Sequence, residues 1–291
     1  MSNQEKLRIL VIGAHPADIF DQSGGTMAHH VKRGDWVGAL VVTHGARIHD
    51  KVISNNLFTA ATIPQGDKLE NMMKDRADVK TEEVFCACEI LGVKREDVHF
   101  LGEDDAVTLE SKDTIRKIAQ IIRKLRPNVI ITHFPMENGG VECPHANTGK
   151  NVMRAIFWAG SVDPEDPNPA NKVAQVFFFG GGAAWVRGGL WDSLHGYTND
   201  VFIDITDVIE LKLKAIDSMV SQAYAGAYAR KRIECSDGAF GQRAGTSYAE
   251  PFIKLYAELH EYLPVTEDAL KLSRMSDHEI IIRRSYKLKT D

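Results

Sequence analysis

The segment Leu7 to Ala14, LRILVIGA, is an almost unbroken apolar run, and it restricts the fold more than any other feature of the chain. A strand with one face in water alternates apolar and polar residues. A strand buried on both faces reads as continuous apolar sequence, which is the pattern of a parallel sheet covered by helices on each side. Similar runs recur at Trp36 to Thr43, which ends in the polar turn Thr43-His44-Gly45, at Val98 to Leu101, and at Asn128 to His133. QVFFFGG (175–181) and DVFIDIT (200–206) are later strand signals.

Helical patterns separate these runs. Gly24 to Gly34 predicts a helix with Met27, Ala28 and Val31 inward, and Lys68 to Leu91 predicts a longer one. Thr114 to Leu125 sets Ile115, Ile118, Ile121, Ile122 and Leu125 at helical spacing, and Pro127 stops it. Ile205 to Ala223 predicts a further helix with Thr206 or Asp207 as its cap. This alternation points to an α/β fold with a mainly parallel sheet and right-handed crossovers. At 291 residues the chain accommodates one catalytic domain, 1–264, and a charged tail, 265–291, free to wrap the surface or meet a neighbouring subunit.

Composition narrows the function classes. A hydrophobic share of 44% supplies a sizeable core, and the net charge of -5 argues against a general nucleic-acid surface. No apolar run approaches the roughly 20 residues that span a bilayer, so no membrane partner is expected. The opening residues lack a signal-peptide core, and Cys86, Cys88, Cys143 and Cys235 show no disulfide framework. A cytoplasmic location follows as the expectation.

Ligands of open α/β sheets bind beyond the carboxyl ends of the strands. Three segments place polar groups there: GAHPAD (13–18), THGARIHD (43–50) and THFPMENGGVECPHANTGK (132–150). His15 and Asp18 lie three apart across a proline, a spacing able to aim an imidazole and a carboxylate at one point. His145, in a glycine-rich loop, is the natural third member of a zinc site that keeps a position open for water. The spacing alone equally allows His15 to start a turn and Asp18 to cap the next helix.

VIGAHPADIFDQSGG, the following helix and the strand ending in THG resemble the opening of PIG-L/LmbE-like proteins, where A-H-P-D-D precedes a glycine pair. PHANTGK resembles that family's second motif, H-x-D-H followed by a helix. The likeness covers about residues 7–260 and leaves the tail outside. It implies a Rossmann-like three-layer sandwich and a zinc cofactor, with Fe2+ or Co2+ as other divalent options. The ligand set it implies is His15, Asp18 and His145.

Departures from the pattern are equally informative. The deacetylase motif carries a second aspartate, the general base, where this chain has Ala17. Glu142 replaces a histidine proposed as an acid, Pro144 replaces the second motif's aspartate, and Gly140 falls where a tyrosine is often found. A lost acid or base typically costs about 10²–10⁴-fold in rate, so an ordinary deacetylase is not expected. The resemblance is closer to the family's 4-oxalomesaconate hydratases, which also carry alanine at the base position. The expected activity is therefore a zinc-dependent hydratase or lyase acting on a small carboxylated metabolite. An N-acyl hydrolase using Glu142 as base is the alternative, and a metal-binding remnant is a third reading.

Glu142, His49 and His195 are the candidates for proton transfer, with Asp50 beside His49 also in reach of the site. The hydratase branch has a glutamate near the position of His49, a mismatch that bears on substrate. Arg47 is a candidate carboxylate clamp, with an exposed arginine as the plain reading. His44, like His133, ends a strand and is placed either to bind substrate or to satisfy loop backbone groups. His29 and His30 read as surface or packing residues, Cys143 as a small buried residue, and Gly180 to Gly182 as a close-packed bend. A homo-oligomer is expected.

Overall fold

The computed structural model describes residues 5–59, 64–106, 110–136, 144–179, 193–194 and 197–289. Five parallel strands form the centre of its sheet: β1 (Arg8–Gly13), β2 (Trp36–Thr43), β3 (Val98–Glu103), β4 (Val129–His133) and β5 (Gln175–Phe179). A two-residue pair, β6 (Ser193–Leu194) and β7 (Tyr197–Thr198), stands apart. β8 (Val201–Asp204) and β9 (Ala249–Lys254) complete the main sheet, in the order β3-β2-β1-β4-β5-β9-β8. β9 runs antiparallel to both of its neighbours. The run from β3 through β1 to β5 is the 3-2-1-4-5 arrangement of doubly wound folds, whose crevice opens between β1 and β4.

Side-chain alternation divides the core into two layers. Ile9, Val11, Val37, Ala39, Val41, Val129 and Ile131 face one side. There they meet α1 (Asp18–Arg33), α3 (Asp67–Ile90) and α6 (Ile209–Asp217) through Phe20, Met27, Val84, Cys88, Leu213 and Ile216. α2 (Lys51–Thr59) links β2 to α3. Leu10, Ile12, Leu40, Val42 and Ile130 face the other side. Those residues pack on α4 (Lys112–Leu125) and α5 (Pro144–Ala159) through Ile115, Ile118, Ile122, Val152 and Ile156. Burial on both faces is why these strands read as continuous apolar runs. The chain is thus the expected α/β three-layer sandwich.

Two predicted helices differ. α1 starts at Asp18, not Gly24, and breaks at Ser23, whose φ of -147° is not helical. Asp18 and Asp21, which flank the buried Ile19 and Phe20 in its first turn, hid it. The helix predicted over 205–223 is only nine residues long, flanked by 3-10 turns at Thr206–Val208 and Val220–Gln222. Neither Thr206 nor Asp207 caps it through a side chain. α7 (Ala227–Ile233) then passes through a π turn into α8 (Ala239–Ala244).

The last segment carries α9 (Glu267–Leu272) and α10 (Asp277–Arg283), the latter opened by a Ser276–Glu279 capping box. It returns to its own subunit: Ser247 Oγ donates to the Arg283 carbonyl at 2.8 Å, and Leu288 is buried.

Candidate metal centre

β1 delivers the chain into a turn at Ala14-His15-Pro16-Ala17, and α1 begins at Asp18. The turn is closed from both sides. His15 N donates to Asp18 Oδ2 at 2.7 Å, and Asp18 N donates to the His15 carbonyl at 3.2 Å. Pro16 packs so closely under the next loop that a Cβ on Gly45 would lie 2.6 Å from it. Gly45 also has φ of +64°, so only glycine fits there without strain.

Across the crevice, β4 ends at His133 and α5 starts at Pro144, placing His145 in its first turn. A Cβ on Gly149 would stand 2.5 Å from the His133 carbonyl, so this glycine lets α5 settle on the strand end. The approach stacks the His145 and His133 rings, with centroids 4.6 Å apart and planes 11° from parallel.

His15, Asp18 and His145 therefore converge, with one donor atom from each within 4.8 Å of the others. His15 Nδ1 is 3.1 Å from His145 Nε2 and 3.3 Å from Asp18 Oδ2, and His145 Nε2 is 3.7 Å from the same oxygen. His15 Nε2 is buried with no hydrogen-bond partner among the described residues. Two imidazoles and a carboxylate in this proximity form a donor set that fits a divalent cation of the zinc type.

The electrostatics agree with such a site. Burial pushes the Asp18 carboxyl upward, but His145 and His15 outweigh it and, with a hydrogen bond from His133, hold the group well below the usual carboxylate range. Asp18 is thus a ready anionic ligand. His133 Nε2 lies 3.1 Å from Asp18 Oδ2 and 3.0 Å from Ala14 N. That nitrogen has one role at a time: it accepts from the Ala14 amide, or it carries a proton and donates to Asp18. Burial lowers the His133 pKa to about 4, so its ring is neutral near pH 7.

His49 also reaches the site, its ring edge-on to His15 at 4.5 Å. Burial, with His15 adding to it, lowers its pKa to about 4. Its loop is held from behind by buried Lys80, whose Nζ donates to the His49 carbonyl at 3.1 Å and to Ser221 Oγ at 3.0 Å.

The other predicted residues take different roles. Asp50 is not free for proton transfer. It accepts from Val52 N and Ile53 N at the start of α2 and pairs with Arg76 at 2.9 Å. Arg47 grips Asp104 through both nitrogen branches at the surface, so its guanidinium is engaged by its own chain. His44 Nδ1 accepts from Ala46 N and lies 3.2 Å from Asp105. His44, Asp104 and Asp105 also cluster, but the Asp105 oxygens accept from the Arg47 and Ile48 amides, which makes the cluster a loop brace. His29 and His30 pair with Asp207 and Asp35, as packing or surface residues do. Gly140, Glu142, Cys143, Gly180 to Gly182 and His195 lie outside the described residues.

Sequence reasoning missed two buried networks behind the site. Asp21, one turn beyond Asp18, forms a two-pronged pair with Arg232, whose guanidinium lies 4.9 Å over the Tyr224 ring. Glu250 accepts from Gly25 N, Thr26 N and Lys212 Nζ at 2.7–2.8 Å, and Lys212 also donates to Asp237 at 2.9 Å. Asp21 and Arg232 are 211 positions apart, so no local pattern announces them.

No helix among the described residues is long and apolar enough to cross a membrane. A 4-oxalmesaconate hydratase of Pseudomonas putida KT2440 is 25% identical over 226 residues, covering 78% of each chain. A 1D-myo-inositol 2-acetamido-2-deoxy-alpha-D-glucopyranoside deacetylase of Geodermatophilus obscurus is 27% identical over 252 residues, covering 77% of this chain and 79% of that one. In three dimensions the chain is similar to GalB, the 4-carboxy-2-hydroxymuconate hydratase of Pseudomonas putida KT2440. The TM-score is 0.65 at 22% identity, over 88% of this chain and all of that one. The family model described as PIG-L, GlcNAc-PI de-N-acetylase, matches residues 10–156, half of the chain, from within β1 to within α5. With that match on the segment that builds the crevice, the chain belongs to the PIG-L family.

Proposed function

We propose that this chain is a metal-dependent hydratase of the hydro-lyase type, acting on a small carboxylated metabolite, with His15, Asp18 and His145 holding a zinc ion. The observation that carries the reading is Ala17. It stands where the deacetylase motif has its second aspartate, and it is buried in the core cluster with Phe20 and Ile19. No carboxylate at this position can take a proton from water, a step that amide hydrolysis requires.

When bound, zinc supplies Lewis acidity that makes water easier to deprotonate; Fe2+ and Co2+ suit the same donors. His49 is the described residue best placed to accept the proton, as a neutral imidazole beside His15. The water oxygen then bonds to one alkene carbon, and the π electron pair moves to the other. A proton taken up from an acid there completes the addition, with His195 the candidate acid and Glu142 a further candidate to orient or deprotonate the water. With His49 and His133 neutral, a divalent cation set against the single carboxylate of Asp18 leaves a net positive centre, which favours an anionic substrate. The 25% identical hydratase from Pseudomonas putida supports this reaction class.

A second reading is an N-acyl hydrolase with Glu142 as base, favoured by the deacetylase relative at 27% identity. Metal analysis of the purified protein, run beside assays of 4-oxalomesaconate-type hydration and N-acetylglucosamine-type hydrolysis, separates the two. The expected result is about one zinc per chain and hydration alone, with Ala17→Asp lowering it by crowding and recharging the site. Zinc with deacetylation supports the second reading. Neither metal nor activity sinks both, and an Ala17→Asp enzyme that gains deacetylation while keeping hydration counts against the mechanism.

A further inference from the structure

Where the second half of α1 crosses the sheet, the packing leaves a cavity. The break at Ser23 restarts the helix on small residues, Gly24, Gly25 and Thr26, and Gly25 is engaged by its close contact with Ile205. The space that remains is about 130 Å³, walled by the buried Ile9, Val129, Ile131 and Phe252 with Thr26 beside them. Leu7, His30 and Val201 are half-buried and form its more exposed side. Leu7 precedes β1 and Val129 opens β4, so the cavity lies at the amino ends of strands whose carboxyl ends lead to the candidate metal centre.

Thr26 gives this apolar space its chemical character. The residue is 3% exposed, and its Oγ1 is buried with no hydrogen-bond partner among the described residues. A threonine hydroxyl inside a helix ordinarily donates to the carbonyl three or four residues back. For Thr26 those carbonyls belong to Ser23 and Gln22, at the break, whereas Ser23 Oγ does reach the Ile19 carbonyl at 2.6 Å. His30, one turn further on, has its Nδ1 held by Asp35 at 2.6 Å. A buried hydroxyl left unpaired is costly. Water is a poor remedy, because an ordered water needs roughly two to four polar partners, and Thr26 Oγ1 is the unpaired buried side-chain atom that the described walls offer. A molecule with an apolar body and one oxygen matches both the walls and the hydroxyl.

We propose that the cavity is a binding site for a monocyclic aromatic molecule of the phenol class. Its ring lies among Ile9, Val129, Ile131 and Phe252, and its oxygen pairs with Thr26 Oγ1. Size supports the assignment, since an apolar cavity of about 150 Å³ accommodates benzene. Phe252 supplies a ring for an edge or offset contact. A phenol and a threonine hydroxyl each donate and accept, so the pair forms in either sense. Charge excludes ionic ligands. No Lys, Arg, Asp or Glu is among the described lining residues, and burial lowers the His30 pKa, so its ring is neutral near pH 7. A carboxylate or ammonium would lose its water there without gaining a partner. The ligand class is therefore different from the anionic substrate proposed for the metal centre.

Methyl NMR of the full chain, labelled at Ile, Leu and Val and titrated with phenol and separately with benzene, tests this. In wild type the Ile9, Val129 and Ile131 methyls should shift and saturate, with a phenol dissociation constant on the order of 0.1–1 mM. Ile118 and Ile122, in the layer on the other side of the sheet, should stay in place. Thr26→Val keeps the shape and removes the hydroxyl. It should weaken phenol by about 5–10-fold and leave benzene bound at least as tightly. Thr26→Leu fills the space and should abolish both, and Thr26→Val carries the test alone if the larger side chain unfolds the protein. Wild-type cavity methyls that move with neither probe overturn the proposal, as do larger shifts elsewhere in the chain. So does phenol affinity undiminished in Thr26→Val, or binding of either probe retained in a folded Thr26→Leu.

Discussion

His133 contacts Asp18 without belonging to the candidate ligand set, and His133→Phe isolates the orienting role this contact gives it. Phenylalanine keeps an aromatic ring for the stack on His145 and the edge contact to Phe179, whose ring centroid lies 4.6 Å away. What it removes is Nε2, within hydrogen-bond distance of both Asp18 Oδ2 and Ala14 N. Because Nε2 serves one of these partners at a time, one of two losses should follow. Where Nε2 accepts, the Ala14 amide, buried at the end of β1, loses its acceptor, which costs about 1–3 kcal/mol of stability. Where it donates, Asp18 loses the neighbour that fixes its carboxylate, and loss of such an outer partner typically weakens metal binding by about 10–100-fold. That factor is equivalent to roughly 1.4–2.8 kcal/mol. Competitive titration of chelator-stripped protein with zinc, against an indicator chelator, reads the affinity, and calorimetry of the same samples reads the stability. His29→Ala, on the outer face of α1, should leave zinc affinity unchanged. If His133→Phe binds zinc as tightly as wild type while folded, the contact with Asp18 does not orient the ligand and the reasoning fails.

Two further expectations concern the buried networks. Glu250→Gln leaves Lys212 short of one counter-charge and two amides of α1 poorly matched, so unfolding should ease by about 3–5 kcal/mol. A thermal midpoint on the order of 10 °C lower follows, and a shift within error of zero would refute it. Burial lowers the Lys80 pKa to about 8, against an ordinary 10.5. The unfolded chain then binds the extra proton between those values, so this lysine makes stability rise with pH from about 8 to about 10.5, on the order of 2–3 kcal/mol. Urea titrations at both ends of the window should show that rise reduced in Lys80→Met relative to wild type; an identical rise in both proteins would remove Lys80 as its source.

How much was legible in sequence depended on how local each determinant is. β1, β2 and β4 were readable because burial on both faces leaves no polar residue to interrupt them. α4 was readable because its five apolar positions fall on one helical face, although it starts at Lys112, two residues before the predicted Thr114, after Ser111, whose side chain accepts from Thr114 N. The first half of α1 was not: Asp18 and Asp21 serve the site and Arg232 rather than the core, so the apolar period is missing there. β9 was hidden by Pro251, which breaks a strand pattern yet sits opposite Phe202 in the antiparallel pair with β8. Within the site, the convergence of His15, Asp18 and His145 was foreshadowed by two motifs. The engagement of Arg47 by Asp104 and of Asp50 by Arg76 depends on partners 57 and 26 positions away, and only the folded chain assigns them.

The glycine pair that follows the first motif acquires a physical meaning from these same contacts. A helix that restarts after a break at Ser23 presents free amides and a positive dipole end, an arrangement commonly used to bind phosphate. Here the amides of Gly25 and Thr26 donate to Glu250, and Lys212 balances that carboxylate. A Cβ on Gly25 would lie 2.5 Å from the Ile205 side chain, so glycine is demanded by packing at this point. The anion-binding capacity of the half-helix is therefore consumed internally, and the pair is a packing device rather than a phosphate cradle. With Arg47 tied to Asp104 as well, the proposed function leaves recognition of an anionic substrate to the candidate centre itself: a cation held by His15, Asp18 and His145, with His49 beside it.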